Sequence, residues 1–260
     1  MILNGGGSGN QVKESYQLFA DLVKGGKIVY IPLAWNHGSY EGCLEFLTNE
    51  LKPYGITKID LITDANQITK KKLDEAKGIF IGGGNTFKLL KMLKDTPAFK
   101  NIHQFMEKED SVIMGGSAGA LIFGKSIDAC KDDGLGIKNI CDINEVNLLD
   151  TNGFNVLNDY SLLVHYQKLE SQIPQTQLRI NRLLGEGYKL ICLPEETSLY
   201  VHNNKFQFIG SKSAKIFDNA ISKIIANIVF LKIKGKQSKK NFYLYTQRRV
   251  NRAFLLSILY

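Results

Sequence analysis

Short, continuously apolar runs alternate along this chain with longer segments of helical periodicity. Residues 27–33, 78–81 and 111–114 are typical of strands, whereas residues 42–51 and 86–93 repeat leucine or phenylalanine at helical spacing. Such alternation builds βαβ units and a mostly parallel sheet. Because these strands lack a polar face, helices are expected to cover the sheet on both sides. The pattern therefore predicts an α/β fold of three layers, in which a mostly parallel sheet is flanked by helices.

Further apolar runs extend this pattern towards the carboxyl end of the chain. Residues 59–62, 162–164 and 190–193 are predicted to be strands, and residues 206–209 an edge strand. In open parallel sheets, ligand sites form just beyond the carboxyl ends of the strands. Residues that directly follow these runs are therefore the candidates for function.

The most informative motif is the run GGSAG at residues 115–119, between the predicted strand 111–114 and a predicted helix 118–124. Small residues on each side of a serine are what a nucleophile elbow requires, because the turn is tight and bulky neighbours would clash. Such an elbow would present Ser117 as a nucleophile and aim the N–H of Ala118 at an oxyanion. The alternatives are an ordinary glycine turn or a phosphate cradle at a helix N-terminus.

A second glycine-rich turn, GGGN at residues 82–85, follows the predicted strand 78–81. Three glycines let the backbone approach a ligand closely and expose its N–H groups. The turn matches neither the GxxxxGK[ST] phosphate loop nor the GxGxxG dinucleotide motif. It fits the second oxyanion donor of an elbow, with a simple glycine turn as the alternative.

A serine nucleophile needs a base, and the chain has four histidines that compete for that role. His165 ends the apolar run 162–164, where a strand would deliver a side chain into the crevice of the sheet. His37 follows the first long strand and could line the pocket, whereas His103 and His202 lie in polar segments. We therefore predict His165 as the base.

The base in turn needs an acid that orients it. Glu195 and Glu196 follow the predicted strand 190–193, again at a strand's carboxyl end. Asp132 and Asp133 are rivals in the loop after the elbow helix. Paired acids of this kind are usually solvated loop charges, so the pattern alone leaves the choice open.

The net charge of +8 belongs to one end of the chain. Nine lysines or arginines and no acidic residue lie between residues 220 and 260, out of totals of 33 and 25, so residues 1–219 carry a net charge of −1. Residues 1–219 are therefore not expected to present a basic surface to nucleic acid or a membrane. Residues 220–260 are the only segment whose charge suggests either partner. We divide the chain into a main domain, residues 1–217, and a basic C-terminal extension, residues 218–260. The extension is compatible with one or two added helices or with a segment foreign to the fold.

The four cysteines, at positions 43, 130, 141 and 192, form no CxxC pair. This spacing suits neither a metal centre nor a disulfide scaffold, so we expect a reduced, cytoplasmic protein without a metal or cofactor. No apolar run is long enough to cross a membrane, and the first ten residues lack the features of a secretory signal.

Four motifs together resemble the peptidase E family, the S51 group of serine peptidases, to which cyanophycinase also belongs. They are IGGGNTF at 81–87, GSAGA at 116–120, His165-Tyr166 and Leu193-Pro194-Glu195. They occur in the family's order over roughly residues 1–217. The resemblance implies a fold similar to class I glutamine amidotransferases (flavodoxin-like), and hydrolysis of short peptides after an N-terminal aspartate, or of an aspartyl-arginine polymer.

The resemblance also implies a role for each matching residue. Ser117 would be the nucleophile, His165 the base and Glu195 the acid. The backbone oxyanion donors would be Gly84 and Ala118. The substrate-binding residues would be Gly83, Asn85 and Arg179, and the alternative acid Asp132 or Asp133. The order Ser, His, Glu differs from that of the α/β-hydrolases.

The chain departs from the family pattern at two places. Aspartyl-specific members carry two arginines in the helix after the catalytic histidine, whereas Thr176 stands here in place of one and only Arg179 matches. Loss of a guanidinium removes bidentate recognition of a carboxylate, which puts aspartyl preference in doubt. An insert near residues 134–151 could rim the pocket. A non-catalytic binding protein on the same scaffold is the alternative function, and a homodimer is compatible with the sequence.

Overall fold

The computed structural model describes residues 1–132, 134, 141–170, 175–218 and 221–225. Eleven strands are found in these residues: β1 Ile2–Asn4, β2 Ile28–Ile31, β3 Ile59–Leu61, β4 Gly78–Ile81, β5 Val112–Gly116, β6 Tyr160–Leu163, β7 Lys189–Cys192, β8 Thr197–His202, β9 Lys205–Gly210, β10 Ala214–Asp218 and β11 Ile221–Ile225. The same residues form eight α-helices: α1 Lys13–Val23, α2 Tyr40–Leu51, α3 Lys70–Asp74, α4 Thr86–Lys94, α5 Ala98–Met106, α6 Ala118–Leu121, α7 Tyr166–Glu170 and α8 Gln175–Gly185.

Seven strands form the main sheet in the order β3-β2-β4-β5-β1-β8-β9. The five strands from β3 to β1 run parallel, and β8 and β9 add an antiparallel edge. As a result, the carboxyl ends of β4 and β5 lie side by side, each followed by one of the two glycine-rich turns. The sheet thus brings together two segments that lie more than thirty residues apart along the chain.

The main sheet is covered on both faces, as its apolar strands predicted. Ile28 and Tyr30 of β2 pack into a core with α1 and α2, whereas the alternate residues Val29 and Ile31 pack into a second core with α4 and α5. Side chains of a strand alternate between the two faces, so each strand must be apolar throughout to fill both cores. The prediction of a three-layer α/β fold with a mostly parallel sheet is confirmed.

A second sheet, in the order β11-β10-β7-β6, was not expected. The sequence placed residues 162–164 and 190–193 in a single sheet with the elbow strand, but β6 and β7 pair in parallel with each other, and β10 joins them antiparallel. The edge beside β1 is taken by β8 instead. Helix α8 packs on this second sheet through Ile180 and Leu183.

The start of the predicted C-terminal extension is a strand. Residues 221–225 pair antiparallel with β10 over five positions, so the expectation of an appended helix is wrong for this segment. Its sequence, ISKII, is rich in β-branched isoleucine, which favours a strand. Residues 226–260 lie outside the described residues, and the division of the chain at residue 217 stays a prediction.

Among the described residues, no helix is both long enough and apolar enough to span a lipid bilayer.

Candidate active site

Ser117 stands at the sharp turn between β5 and α6. Its backbone has φ 51° and ψ −115°, a conformation that is strained for a residue with a side chain. The turn closes only because its neighbours are small: a Cβ on Gly119 would lie 2.2 Å from the carbonyl oxygen of Ile81. The structure therefore has the tight strand-to-helix turn that the GGSAG motif predicted, and the role of Ser117 as nucleophile stays a prediction.

His165 directly follows β6 and faces Ser117. Its Nε2 lies 2.9 Å from Ser117 Oγ, within hydrogen-bond distance. His165 itself has a positive φ of 54°, and its N–H donates to the carbonyl oxygen of Gly5 at 2.9 Å. The base and the nucleophile come from different sheets, since β6 belongs to the second sheet and β5 to the main one.

Glu195 follows β7, and its carboxylate contacts the ring nitrogen of His165 that does not face Ser117. Its Oε1 lies 2.6 Å from His165 Nδ1. Burial would raise the pKa of Glu195, but hydrogen bonds from Lys168 and His165 outweigh it and hold that pKa below its usual value. The carboxylate is therefore ionised over the whole neutral pH range, as the orienting acid of a histidine must be.

Backbone N–H groups border Ser117 on two sides. Ala118 is the first residue of α6, and the first N–H groups of a helix have no partner within it. On the other side, a Cβ on Gly83 would lie 3.7 Å from Ser117 Oγ, which puts the second glycine turn against the hydroxyl. In the part of the chain that the structure describes, the N–H groups of Gly83 and Gly84 donate no hydrogen bond. These amides are available to an oxyanion, and the specific role of Gly84 stays a prediction.

A loop at the beginning of the chain joins the three catalytic segments, and sequence reasoning missed it. We call residues 4–7 the N-terminal glycine loop. Its carbonyl oxygens accept hydrogen bonds from the N–H of Ser117 at 3.2 Å and of His165 at 2.9 Å, and its last N–H donates to the carbonyl of Glu195 at 3.2 Å. A Cβ on Gly6 would lie 2.1 Å from the ring of His165. The run GGGSG at residues 5–9 was the available signal.

A second missed residue, Asp142, lies in the insert after the elbow. Its Oδ2 accepts hydrogen bonds from the N–H and hydroxyl of Thr86, at 2.8 and 2.5 Å, at the first turn of α4. Burial raises its pKa although these bonds oppose the rise. Asn85 Nδ2 also donates to the carbonyl of Ile143 at 2.9 Å. The described end of the insert therefore packs on the helix that follows the oxyanion turn.

The predicted substrate-binding Arg179 is fully buried in α8. Its guanidinium contacts the carbonyl oxygens of Ala129 and Lys131 and the sulfur of Cys141. This geometry fixes the loop after the elbow, and direct contact between Arg179 and substrate stays a prediction.

Of the two alternative acids, Asp133 lies outside the described residues. The carboxylate of Asp132 accepts from the N–H of Gly134 at 3.0 Å. The carboxylate that binds His165 is that of Glu195.

Each of the other three histidines has a different neighbour. His37 packs edge-on against Trp35, His103 lies 3.5 Å from Glu107, and His202 stacks on Tyr200. Of the four histidines, His165 is the one whose ring lies within hydrogen-bond distance of Ser117 in the described structure, and its role as base stays a prediction.

Comparison with known proteins gives matches over most of the chain. The model of peptidase family S51 matches residues 1–209. A peptidase E of Shewanella denitrificans is 27% identical over 200 residues, which cover 74% of this chain and 77% of the relative. A probable alpha-aspartyl dipeptidase of Drosophila melanogaster is 26% identical over 208 residues, covering 76% and 79%. The crystal structure of a peptidase from an acI-B1 Actinobacterium superposes with a TM-score of 0.63 at 19% identity, covering 85% of this chain and 92% of that one.

Proposed function

This chain belongs to peptidase family S51 and is a serine-type peptidase, and from that premise we propose that Ser117, His165 and Glu195 are its catalytic triad. The observation that carries the proposal is the unbroken line of contacts from Ser117 Oγ to His165 Nε2, at 2.9 Å, and from His165 Nδ1 to Glu195 Oε1, at 2.6 Å. A nucleophile, a base and an orienting acid in this order are the requirements for acyl transfer.

In the acylation step, Ser117 Oγ attacks the carbonyl carbon of the scissile bond while His165 Nε2 takes the hydroxyl proton. Glu195 accepts the hydrogen bond of the opposite ring nitrogen, which fixes the tautomer and stabilises the imidazolium. The N–H of Ala118, with that of Gly84 from the second glycine turn, stabilises the oxyanion. Loss of one such donor typically costs about 2.7–4 kcal/mol of transition-state stabilisation.

In the second half of the reaction, His165 donates its proton to the leaving amine, which departs. A water molecule then attacks the acyl-enzyme, with His165 again acting as the base, and Ser117 is regenerated. His165 carries each proton in this cycle, first from Ser117 to the leaving amine and then from the attacking water back to Ser117.

The substrates are short peptides cleaved near their N-terminus, and we propose a dipeptidase or exopeptidase. Relatives named peptidase E and alpha-aspartyl dipeptidase support this class. Preference for an N-terminal aspartate is expected to be weak, because Thr176 offers no positive charge and Arg179 is buried against loop carbonyls. A hydrogen bond to a charged group is worth about 1.5–3 kcal/mol. The missing contact is therefore expected to lower the preference for aspartate over a neutral N-terminal residue by about 10- to 100-fold.

A fluorophosphonate probe and a dipeptide library test this function together. We expect the probe to modify Ser117, as located by peptide mass spectrometry, and the library to show hydrolysis of neutral N-terminal residues at rates within about tenfold of aspartate. No labelling, under conditions that label a control serine peptidase, would favour the non-catalytic binding protein. A strict requirement for aspartate would contradict the substrate assignment alone.

Gly6→Ala is expected to lower kcat/KM by about 10- to 100-fold while the fold is retained, since a 1 Å misplacement of a catalytic group has effects of this size. The added methyl group would overlap the imidazole of His165, at a residue whose φ of 111° also disfavours a side chain. Steady-state kinetics and a thermal melt measure the two quantities. Gly187→Ala is the matched control, because Gly187 also has a positive φ but a Cβ there would meet open space.

A further inference from the structure

The residues that directly follow the catalytic histidine reach across to the catalytic acid. Gln167 Oε1 accepts a hydrogen bond from the N–H of Glu195 at 2.9 Å. Lys168 Nζ lies 2.6 Å from Glu195 Oε1. The first turn of α7 therefore contacts both the backbone and the carboxylate of a residue that lies beyond a different strand.

One oxygen of Glu195 is shared between two donors. Oε1 accepts from His165 Nδ1 and from Lys168 Nζ, both at 2.6 Å. The Glu195 side chain is 11% exposed, whereas that of Lys168 is 56% exposed. A carboxylate so close to burial needs compensation for its lost hydration, and an ammonium group on the same oxygen supplies it.

We propose that Lys168 is a positioning residue: it keeps the carboxylate of Glu195 ionised and aligned with His165, and so supports the basicity and orientation of that histidine. This inference rests on the proposed function only for its effect on activity. The contact between Lys168 and Glu195 itself is independent of it.

Four titratable groups of the described residues lie around this centre. Lys168 Nζ and His165 Nδ1 each lie 2.6 Å from Glu195 Oε1. From the insert, Asp142 is close enough to His165 for their charges to interact. Lys168 is the permanent positive charge that contacts the catalytic carboxylate in this set.

Lys168 stabilises the ionised form of Glu195, and this fixes the direction in which its removal shifts the pKa of Glu195. Its hydrogen bond helps to hold the pKa of Glu195 below the usual value against burial, which acts the other way. Without Lys168, the carboxylate protonates at a higher pH as the solution is acidified. A carboxylate that Lys168 no longer holds in place also orients His165 less well, so Ser117 is activated less effectively at neutral pH.

Lys168→Met and Lys168→Arg test this role with two readouts. The first is the ¹³C chemical shift of the Glu195 carboxyl group, followed by NMR against pH and assigned with Glu195→Gln. The second is the rate of fluorophosphonate labelling of Ser117 at neutral pH. We expect the methionine variant to move the Glu195 midpoint to higher pH by about 0.5–1 unit, a modest shift because Lys168 is largely solvated, and to slow the labelling of Ser117. The arginine variant should restore most of both effects.

Lys108→Met is the matched control, because Lys108 makes an equally short 2.6 Å ion pair with Asp74 on another part of the surface. It should leave the Glu195 midpoint and the labelling rate unchanged. An unmoved Glu195 midpoint in Lys168→Met, or an arginine variant that behaves like methionine, would overturn the inference. So would a moved Glu195 midpoint with an unchanged labelling rate. The carboxyl titration needs no turnover, so a wild-type protein that resists labelling would count against the proposed peptidase mechanism and not against the Lys168 contact.

Discussion

Ser117→Ala is expected to lower kcat by about 10⁵- to 10⁶-fold on any peptide that the wild-type protein cleaves, the size of effect seen when a triad serine is removed. The substitution deletes the atom that would form the acyl-enzyme and leaves the rest of the elbow in place. Alanine accepts the same strained backbone no worse than serine, so the melting temperature should hardly change. Single-turnover hydrolysis and a thermal melt would measure both quantities.

The matched control for this experiment is Ser211→Ala. Ser211 is an exposed serine in the turn between β9 and β10, and its backbone N–H bonds to the carbonyl of Glu196. The variant keeps that bond, so activity should stay at the wild-type level. Retention of substantial hydrolysis in Ser117→Ala would remove Ser117 from the mechanism.

Glu195→Gln is expected to lower kcat by about 10⁴-fold, comparable to neutralising the acid of a serine triad. The amide is nearly isosteric with the carboxylate, but it can present an N–H to His165 and so favour the wrong tautomer. It also leaves the ammonium group of Lys168 without its 2.6 Å carboxylate partner. The pH dependence of kcat/KM, together with labelling of Ser117 by a fluorophosphonate, would report the loss.

Glu196→Gln provides the comparison within the same turn. The adjacent glutamate has the same chemistry, but the hydrogen-bond partner of His165 Nδ1 in the described structure is Glu195. We expect Glu196→Gln to retain most of the activity. Equal losses in the two variants would show that the turn, rather than the carboxylate at position 195, is what matters.

The parallel centre of the fold was predictable because its signals are local. Strands such as β2 and β4 are continuously apolar, and each is followed by a helix with a clear apolar face. β1 was missed because three residues before a glycine run carry too little pattern. β6 and β7 form a second sheet because β8 pairs with β1 and so occupies the edge of the main sheet beside it. Which strand pairs with that edge depends on contacts between distant segments, and no local sequence pattern shows them.

The residues of the candidate site also divide into those with a local sequence signal and those whose contacts are long-range. Ser117 and His165 could be predicted from strand-end position, and the choice of Glu195 over Glu196 came from the family resemblance. The contacts of the N-terminal glycine loop and of Asp142 join segments far apart in sequence, so only coordinates reveal them. Arg179 was predicted to bind substrate, a role that stays a prediction, and its burial against loop carbonyls has no signal in the sequence. The expectations of a metal-free, cytoplasmic and dimeric protein also stay predictions.

The N-terminal glycine loop also makes the candidate site a late product of folding. Residues 4–7 bond to the backbone at residues 117, 165 and 195, segments that are far from them and from one another along the chain. Closing contacts over such separations costs chain entropy that only the nearly complete fold repays. Partly folded forms of the chain are therefore expected to lack the aligned arrangement of Ser117, His165 and Glu195.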